Sequence, residues 1–312
     1  MKRITVILLA LCLACTQAPK GPSTRSFPEV RYPAMLEGYE AMEYMAVHFW
    51  DAFLDTSGRW LCDSLHIAGV ESVKVEEKVG FYTTVLGQIS LQEARKGVAA
   101  VFDKMEACQA ADTLSNVFEK LTELFSRYLY DPNSPVRNED IYEPFVSRLS
   151  TSRFLRPSRK AGYAHDAQMC RLNAVGTPAT DFTFTDIRGR RHTLYGVKAP
   201  YTLLFFTNPG CPSCREIIDT LVEEPLATLV NEGIIAVVNV YIDEDLDAWR
   251  DYEHVYPRTW YTGYDQDYVI RTDVLYNVRA IPSLYLLDSE KRVLLKDAPT
   301  ERLLNYLQNS GL

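Results

Sequence analysis

The stretch LLFFTNPGCPSCREII, Leu203 to Ile218, restricts the possible folds more than any other part of the chain. The apolar run from Tyr201 to Phe206 suits a strand buried on both faces, in the middle of a sheet. Pro209 and Gly210 break it, and Cys211-Pro212-Ser213-Cys214 then opens a helix. Two thiols are thereby set at a strand-to-helix junction, with only two residues between them. Such a pair has three uses: a redox couple, half of a metal site, or two small residues in a core. Structural zinc needs four ligands, and the sequence holds neither a second Cys-x-x-Cys nor a histidine pair at finger spacing, so no metal is expected. His48 and His66 have no second ligand at metal spacing.

Disulfide exchange needs a nucleophilic thiolate and a second thiol close enough to resolve the mixed disulfide. Cys211 falls at the helix start, where unpaired N–H groups and the helix dipole favour an anion, so it is the expected nucleophile. Cys214, one turn inward, is the expected resolving thiol. Pro212 suits the first turn because it lacks an N–H that would have no partner there.

Compartment bears on that chemistry, since thiols stay reduced in a cytosol and oxidise readily outside it. Lys2 and Arg3 precede an apolar run from Ile4 to Ala14 that is shorter than the roughly 20 residues needed to cross a bilayer. Residues 1–14 therefore read as a secretion signal. The end of this run, Cys12-Leu13-Ala14-Cys15, resembles the lipobox of bacterial lipoproteins, which implies that Cys15 is acylated; the alternative is ordinary cleavage near Ala14. No later segment is apolar for long enough to be a membrane helix, so the expected membrane partner is reached by lipid alone. Thr16 to Ser26, with Pro19 and Pro22, looks like part of a flexible tether over 15–31. The absence of an acidic run after Cys15 favours, by analogy with bacterial sorting patterns, a periplasm-facing position on the outer membrane.

The remainder, roughly 300 residues, is long enough for two domains. With 47% apolar residues, 12% aromatics and a net charge of −8, the full chain carries no nucleic-acid signature. Five cysteines lie beyond the signal and Cys15: Cys62, Cys108, Cys170, Cys211 and Cys214. The number is odd, so in an oxidising compartment at least one thiol stays free or pairs between molecules.

Over 32–165 apolar residues recur three and four apart, which predicts an all-α bundle. Met35, Tyr39, Met42, Ala46, Phe49 and Phe53 form one stripe. Ser90 with Glu93 fits a capping box ahead of Ala94, Val98, Val101, Phe102, Met105 and Cys108. Leu114, Val117, Phe118, Leu121, Leu124, Phe125 and Tyr128 form a third stripe. Asn138 is placed to cap a fourth helix bearing Ile141, Phe145 and Leu149. Cys108 reads as a buried, inert thiol, and neither Cys62 nor Cys170 has a thiol at exchange spacing in sequence.

After about Val175 the period changes. Phe182 and Phe184 alternate with polar residues, Asp186 to Arg190 forms a turn, and Ile234 to Ile242 is a second buried strand. Leu284 to Leu287 and Arg292 to Leu295 read as a hairpin, and Thr300 to Gln308 as a closing helix. The order is strand, strand, helix, strand, helix, hairpin, helix.

The Cys-Pro-Ser-Cys junction, followed by Val278-Arg279-Ala280-Ile281-Pro282-Ser283 before a strand, resembles the thioredoxin family, and Pro178-Ala179-Thr180-Asp181-Phe182 is similar to the opening of its TlpA-like extracytoplasmic branch. The likeness covers 175–312. It implies an α/β thioredoxin-like fold, a mixed sheet flanked by helices, preceded by the helical domain. The whole layout is similar to Bacteroidota lipoproteins in which an uncharacterised helical domain precedes a thioredoxin-like one. The resemblance further implies that Ile281-Pro282 is the cis-proline loop, whose Ile281 backbone binds an extended substrate strand, and that the protein exchanges disulfides with protein thiols or disulfides and with an unidentified redox partner, without a cofactor. Two positions depart from the family. Gly210 stands where tryptophan is usual, and the carboxylate that assists the resolving thiol would fall at Phe205, or in the TlpA-like branch at Ile217, with Glu216 one residue away. The alternative from another class is a non-catalytic polypeptide-binding lipoprotein on a redox-inert scaffold.

Overall fold

A computed structural model describes residues 21–312; the expected signal 1–14, the expected acylation site Cys15 and the first part of the expected tether lie outside the described residues. The N-terminal half is helical: α1 (Gly38–His48), a two-stranded ribbon of β1 (His66–Ile67) and β2 (Val70–Glu71), then α2 (Ser72–Leu86), α3 (Leu91–Ala111), α4 (Val117–Leu129), α5 (Glu139–Thr151) and α6 (Pro157–Arg171). The last of these runs beyond the expected boundary at 165. Ser90 caps α3 by accepting the Glu93 N–H at 3.2 Å, but Glu93 turns its carboxylate to Lys96 at 2.6 Å, and the Ser90 N–H goes to the Tyr39 hydroxyl instead. Asn138 caps α5 through Ile141 at 3.2 Å. Gly97 lets α3 lie directly on α1, since a Cβ there would sit 2.4 Å from the Ala46 carbonyl oxygen.

Three expectations change. Met35 and Leu114 are exposed because each precedes its helix, and Tyr39 is half out of water on the first turn of α1. The 15–31 segment is docked rather than loose where it is described. Arg25 donates to the carbonyls of Ala68 at 2.8 Å and Phe53 at 2.6 Å, and Phe27 stacks on Phe53 with ring centroids 5.1 Å apart. Apolar burial and satisfied backbone carbonyls outweigh the chain entropy that its composition suggested.

The C-terminal half is a seven-stranded mixed sheet built from β3 (Thr183–Thr185), β4 (Arg191–Thr193), β5 (Tyr201–Phe206), β6 (Ile235–Tyr241), β7 (Tyr261–Tyr264), β8 (Ser283–Leu287) and β9 (Val293–Leu295), in the order β4-β3-β7-β6-β5-β8-β9. Its helices are α7 (Pro212–Val222), α8 (Leu226–Asn231), α9 (Leu246–Tyr252), α10 (Val269–Thr272) and α11 (Thr300–Asn309). Strand β5 is central, parallel to β6 and antiparallel to β8. Its side chains alternate between two cores: Leu203 and Phe205 pack under α7 and α11, while Leu204 and Phe206 pack with Phe182, Tyr276 and Tyr285. Strands β4 and β7 went unforeseen in the sequence.

Candidate active site

The register of β5 and β8 assembles the site. Phe206 pairs with Ser283, so the chain leaving β5 for Cys211 emerges beside the chain entering β8 from Pro282. The Ile281–Pro282 bond is cis. Gly210 has φ +68°, a left-handed conformation that a Cβ-bearing residue adopts at a cost. This accounts for the missing tryptophan: the turn over Pro209-Gly210 into α7 needs glycine there.

Cys211 is the N-cap of α7, and its sulfur accepts the Cys214 N–H at 3.3 Å. It is half-buried, whereas Cys214 is 1% exposed. Burial, reinforced by the neighbouring Cys211 thiol, pushes the Cys214 thiol up to about 12, with the Asn208 N–H pulling weakly the other way. Both are free thiols. Arg215 is spent on Asp219 at 2.9 Å on the solvent side.

Phe205 and Ile217 are both buried apolar residues in the core that holds Cys214, and Glu216 is exposed. The polar groups of this core are of another kind. The Thr207 hydroxyl donates to Asn239 Oδ1 at 2.7 Å and lies 3.2 Å from the Tyr256 hydroxyl. Asn239 sits opposite Phe205 on β6, so its side chain shares the Cys214 face. Sequence reasoning missed this cluster because its three members are 17 to 49 residues apart and each is unremarkable alone.

The segment leading to Pro282 is fastened to the helical half. Glu139, the first residue of α5, accepts from Arg279 Nε at 2.9 Å and Asn277 Nδ2 at 3.1 Å. Arg279 also donates to the Tyr130 carbonyl and lies 4.0 Å over the Tyr130 ring. On the other side of Pro282, Ser283 donates to Asp297 at 2.8 Å. Burial pushes the Asp297 carboxyl up even though Arg137 and Arg279 flank it.

The remaining cysteines lie elsewhere. Cys170, on α6, is 1% exposed. Cys108 donates to the Leu54 carbonyl at 3.2 Å, and burial pushes its thiol up to about 11. Cys62 and Cys108, remote in sequence, line the same cavity of the helical half, a proximity that sequence spacing concealed. Among the described residues no group of three or more His, Cys, Asp or Glu side chains could hold a metal.

A mixed sheet with a Cys-x-x-Cys helix on β5 and a cis-proline entry to β8 is the thioredoxin-like class. Comparison with solved structures agrees: the chain is similar to a thioredoxin-like protein from Bacteroides caccae, at 33% identity over 94% of this chain and 99% of that one, with a TM-score of 0.76. It is also similar to the C-terminal domain of an uncharacterized protein from Bacteroides fragilis, at 43% identity over 44% of this chain and 98% of that one, TM-score 0.43. Residues 13–173 match the family described as a domain of unknown function, DUF5106. The chain belongs to that family and joins its helical part to a thioredoxin-like half. No curated protein sequence matches it.

Proposed function

We propose that this protein is an envelope thiol-disulfide oxidoreductase working through Cys211 and Cys214, held to the periplasmic side of the outer membrane by lipid on Cys15. The observation that carries the exchange reading is the inequality of the two thiols. The outer one caps a helix and receives an N–H, while the inner one is buried and held protonated. The Cys211 thiolate attacks one sulfur of a client disulfide, forming a mixed disulfide and releasing the other client sulfur as a thiolate. Cys214 then loses its proton and attacks Cys211 Sγ. The Cys211–Cys214 disulfide forms, the second client thiolate leaves, and two electrons have passed to the client. A redox partner returns them, and the same steps reversed oxidise a dithiol. Ile281 makes no backbone hydrogen bond among the described residues, which leaves it free to pair with an extended client strand beside Pro282.

The test is trapping. Cys211→Ser should abolish insulin reduction, and Cys214→Ser should accumulate mixed disulfides with client proteins in the native envelope. A Cys214→Ser variant that traps nothing, with a wild type that cannot be cycled by dithiothreitol, would leave the non-catalytic polypeptide-binding reading. The anchor is tested separately: mature protein without a diacylglycerol-sized mass increase at Cys15 is a simple secreted protein.

A further inference from the structure

A cleft of about 380 Å³ starts at Pro282 and at Ser213, the residue before Cys214, and runs down between α7 and α11. Its size falls in the range of real binding sites, which is roughly 300–1,000 Å³. The floor is apolar: Ile217, Leu284 and Ala298 are all buried. The far wall comes from the helical half, where exposed Pro135 and half-buried Arg137 close the end that the thioredoxin-like half leaves open.

The charges around the cleft do not cancel. Glu216 on α7 and Glu301 on α11 stand on its rim, both exposed. The neighbouring cations form no ion pair with either glutamate among the described residues: Arg302, beside Glu301, is turned into the protein with its Nη1 unpartnered, and two others are engaged elsewhere. Arg215 pairs with Asp219 at 2.9 Å. Arg137 donates to the Asp297 carbonyl at 3.0 Å and lies 3.4 Å from its carboxylate. Among the described residues neither glutamate has an ion-pair partner, so the rim presents two unmet negative charges over an apolar floor.

We infer that this cleft holds the segment flanking the reactive cysteine of an extended, cationic polypeptide, with a lysine or arginine between Glu216 and Glu301 and its aliphatic stem on Ile217 and Leu284. The inference rests on the exchange reading for what happens to the client, but not for the binding itself. An extended chain is favoured over a folded surface because the cleft reaches Pro282, and the backbone of the preceding Ile281 makes no hydrogen bond among the described residues and is free to form a strand pair. A cation is favoured because long basic side chains lay their methylenes on apolar surface while keeping the charge at the rim. The wall at Pro135 and Arg137 gives the helical half a share in choosing clients.

The experiment uses the full chain and two octapeptides, each with one cysteine blocked as a mixed disulfide with 2-mercaptoethanol, flanked by lysines in one and by glutamates in the other. Binding is read by fluorescence anisotropy on cysteine-to-serine versions, and exchange by single-turnover kinetics on the blocked ones. The lysine peptide should bind about fivefold or more tighter than the glutamate peptide at low ionic strength, as two exposed pairs allow, and high salt should narrow the gap. The E216Q/E301Q double variant, whose replaced side chains are exposed and outside the packing, should erase the preference. Equal binding of both peptides, binding of neither, or a preference that survives in the double variant overturns the cleft. Preferential binding of the lysine peptide without exchange keeps the cleft and overturns the oxidoreductase reading.

Discussion

Glu139 Oε2 and Lys296 Nζ lie 2.8 Å apart across the junction of the two halves, with the side chains 1% and 0% exposed. The lysine directs its donors elsewhere, to the carbonyls of Met169, Cys170 and Leu172 at 3.0, 2.9 and 2.7 Å. These carbonyls close the C-terminal end of α6, where a cation is favoured. Glu139 is therefore a counter-charge to Lys296 and a hydrogen-bond acceptor for Arg279 and Asn277. Removing it strands the buried Lys296, leaves Arg279 with Asp297 as its one remaining counter-charge, and loosens the loop that carries Pro282.

The first prediction follows from that asymmetry. Breaking a buried pair from one side leaves an uncompensated charge and costs about 3–5 kcal/mol, whereas replacing both partners costs much less. Glu139→Gln and Lys296→Met should each lower stability by about 3 kcal/mol in urea unfolding. The double variant should lose clearly less than the sum. Strict additivity would show that the two residues do not act on each other.

The second prediction concerns the order of thiol labelling. Cys211 is half-buried at a helix start and Cys214 is buried with its thiol pushed up to about 12, and only thiolates react. Brief treatment of the reduced protein with iodoacetamide near neutral pH should modify Cys211 and spare Cys214, as read by peptide mass spectrometry. Equal labelling of the two in folded protein would contradict the site described above.

A third expectation concerns alkaline stability. Cys214 and Cys108 have folded values raised from 9.0 to about 12 and about 11 by burial. A raised folded value means that the native state holds its proton more tightly than the unfolded chain does. The resulting stability is fully present below pH 9 and is lost as pH rises toward 11 and 12. Urea midpoints of the reduced protein should fall between pH 9 and 11, and less so in the Cys108→Ala variant. A midpoint independent of pH over that window would rule out the shifted thiols.

Fourth, the cysteines outside the pair should not take part in turnover. Cys108 bonds a carbonyl, Cys170 is enclosed, and Cys62 faces a cavity in the helical half rather than the cleft. Replacing Cys62 by Ser and both Cys108 and Cys170 by Ala should cost about 1–3 kcal/mol in all and leave the rate of insulin reduction unchanged. Loss of exchange in a folded triple variant would reveal a relay through the helical half.

Local pattern carried much of this into the sequence. The helices were legible where apolar spacing coincided with a cap, as at Ser90 and Asn138, and the sheet where runs such as Tyr201 to Phe206 stood between turn residues. Strand β7, Tyr261–Tyr264, was not, because its four residues contain a glycine and little alternation. It is held as a strand by its neighbours on both sides, β6 in parallel and β3 antiparallel. The pairing of Glu139 with Arg279, 140 residues on, and the wall that Pro135 adds to the cleft depend on how the two halves dock. No periodicity in either half encodes that.

The last prediction concerns Gly210, one of the two positions at which the chain departs from the thioredoxin family it resembles. The residue has φ +68° with no atom within 4 Å of where a Cβ would point, so the constraint is backbone conformation and not space. A left-handed L-residue costs about 1–2 kcal/mol. Restoring the family's tryptophan as Gly210→Trp should therefore destabilise the protein, and Gly210→Ala should cost nearly as much although it adds one methyl group. Because the strain sits directly before Cys211, relaxing it would shift the N-cap that presents the sulfur to the Cys214 N–H, and exchange should slow in both variants. Thermal unfolding and insulin reduction, measured together on the two variants, check this. If Gly210→Trp is as stable as the parent and exchanges disulfides as fast, the turn over Pro209-Gly210 adapts without cost, and glycine is not required by the backbone at this position.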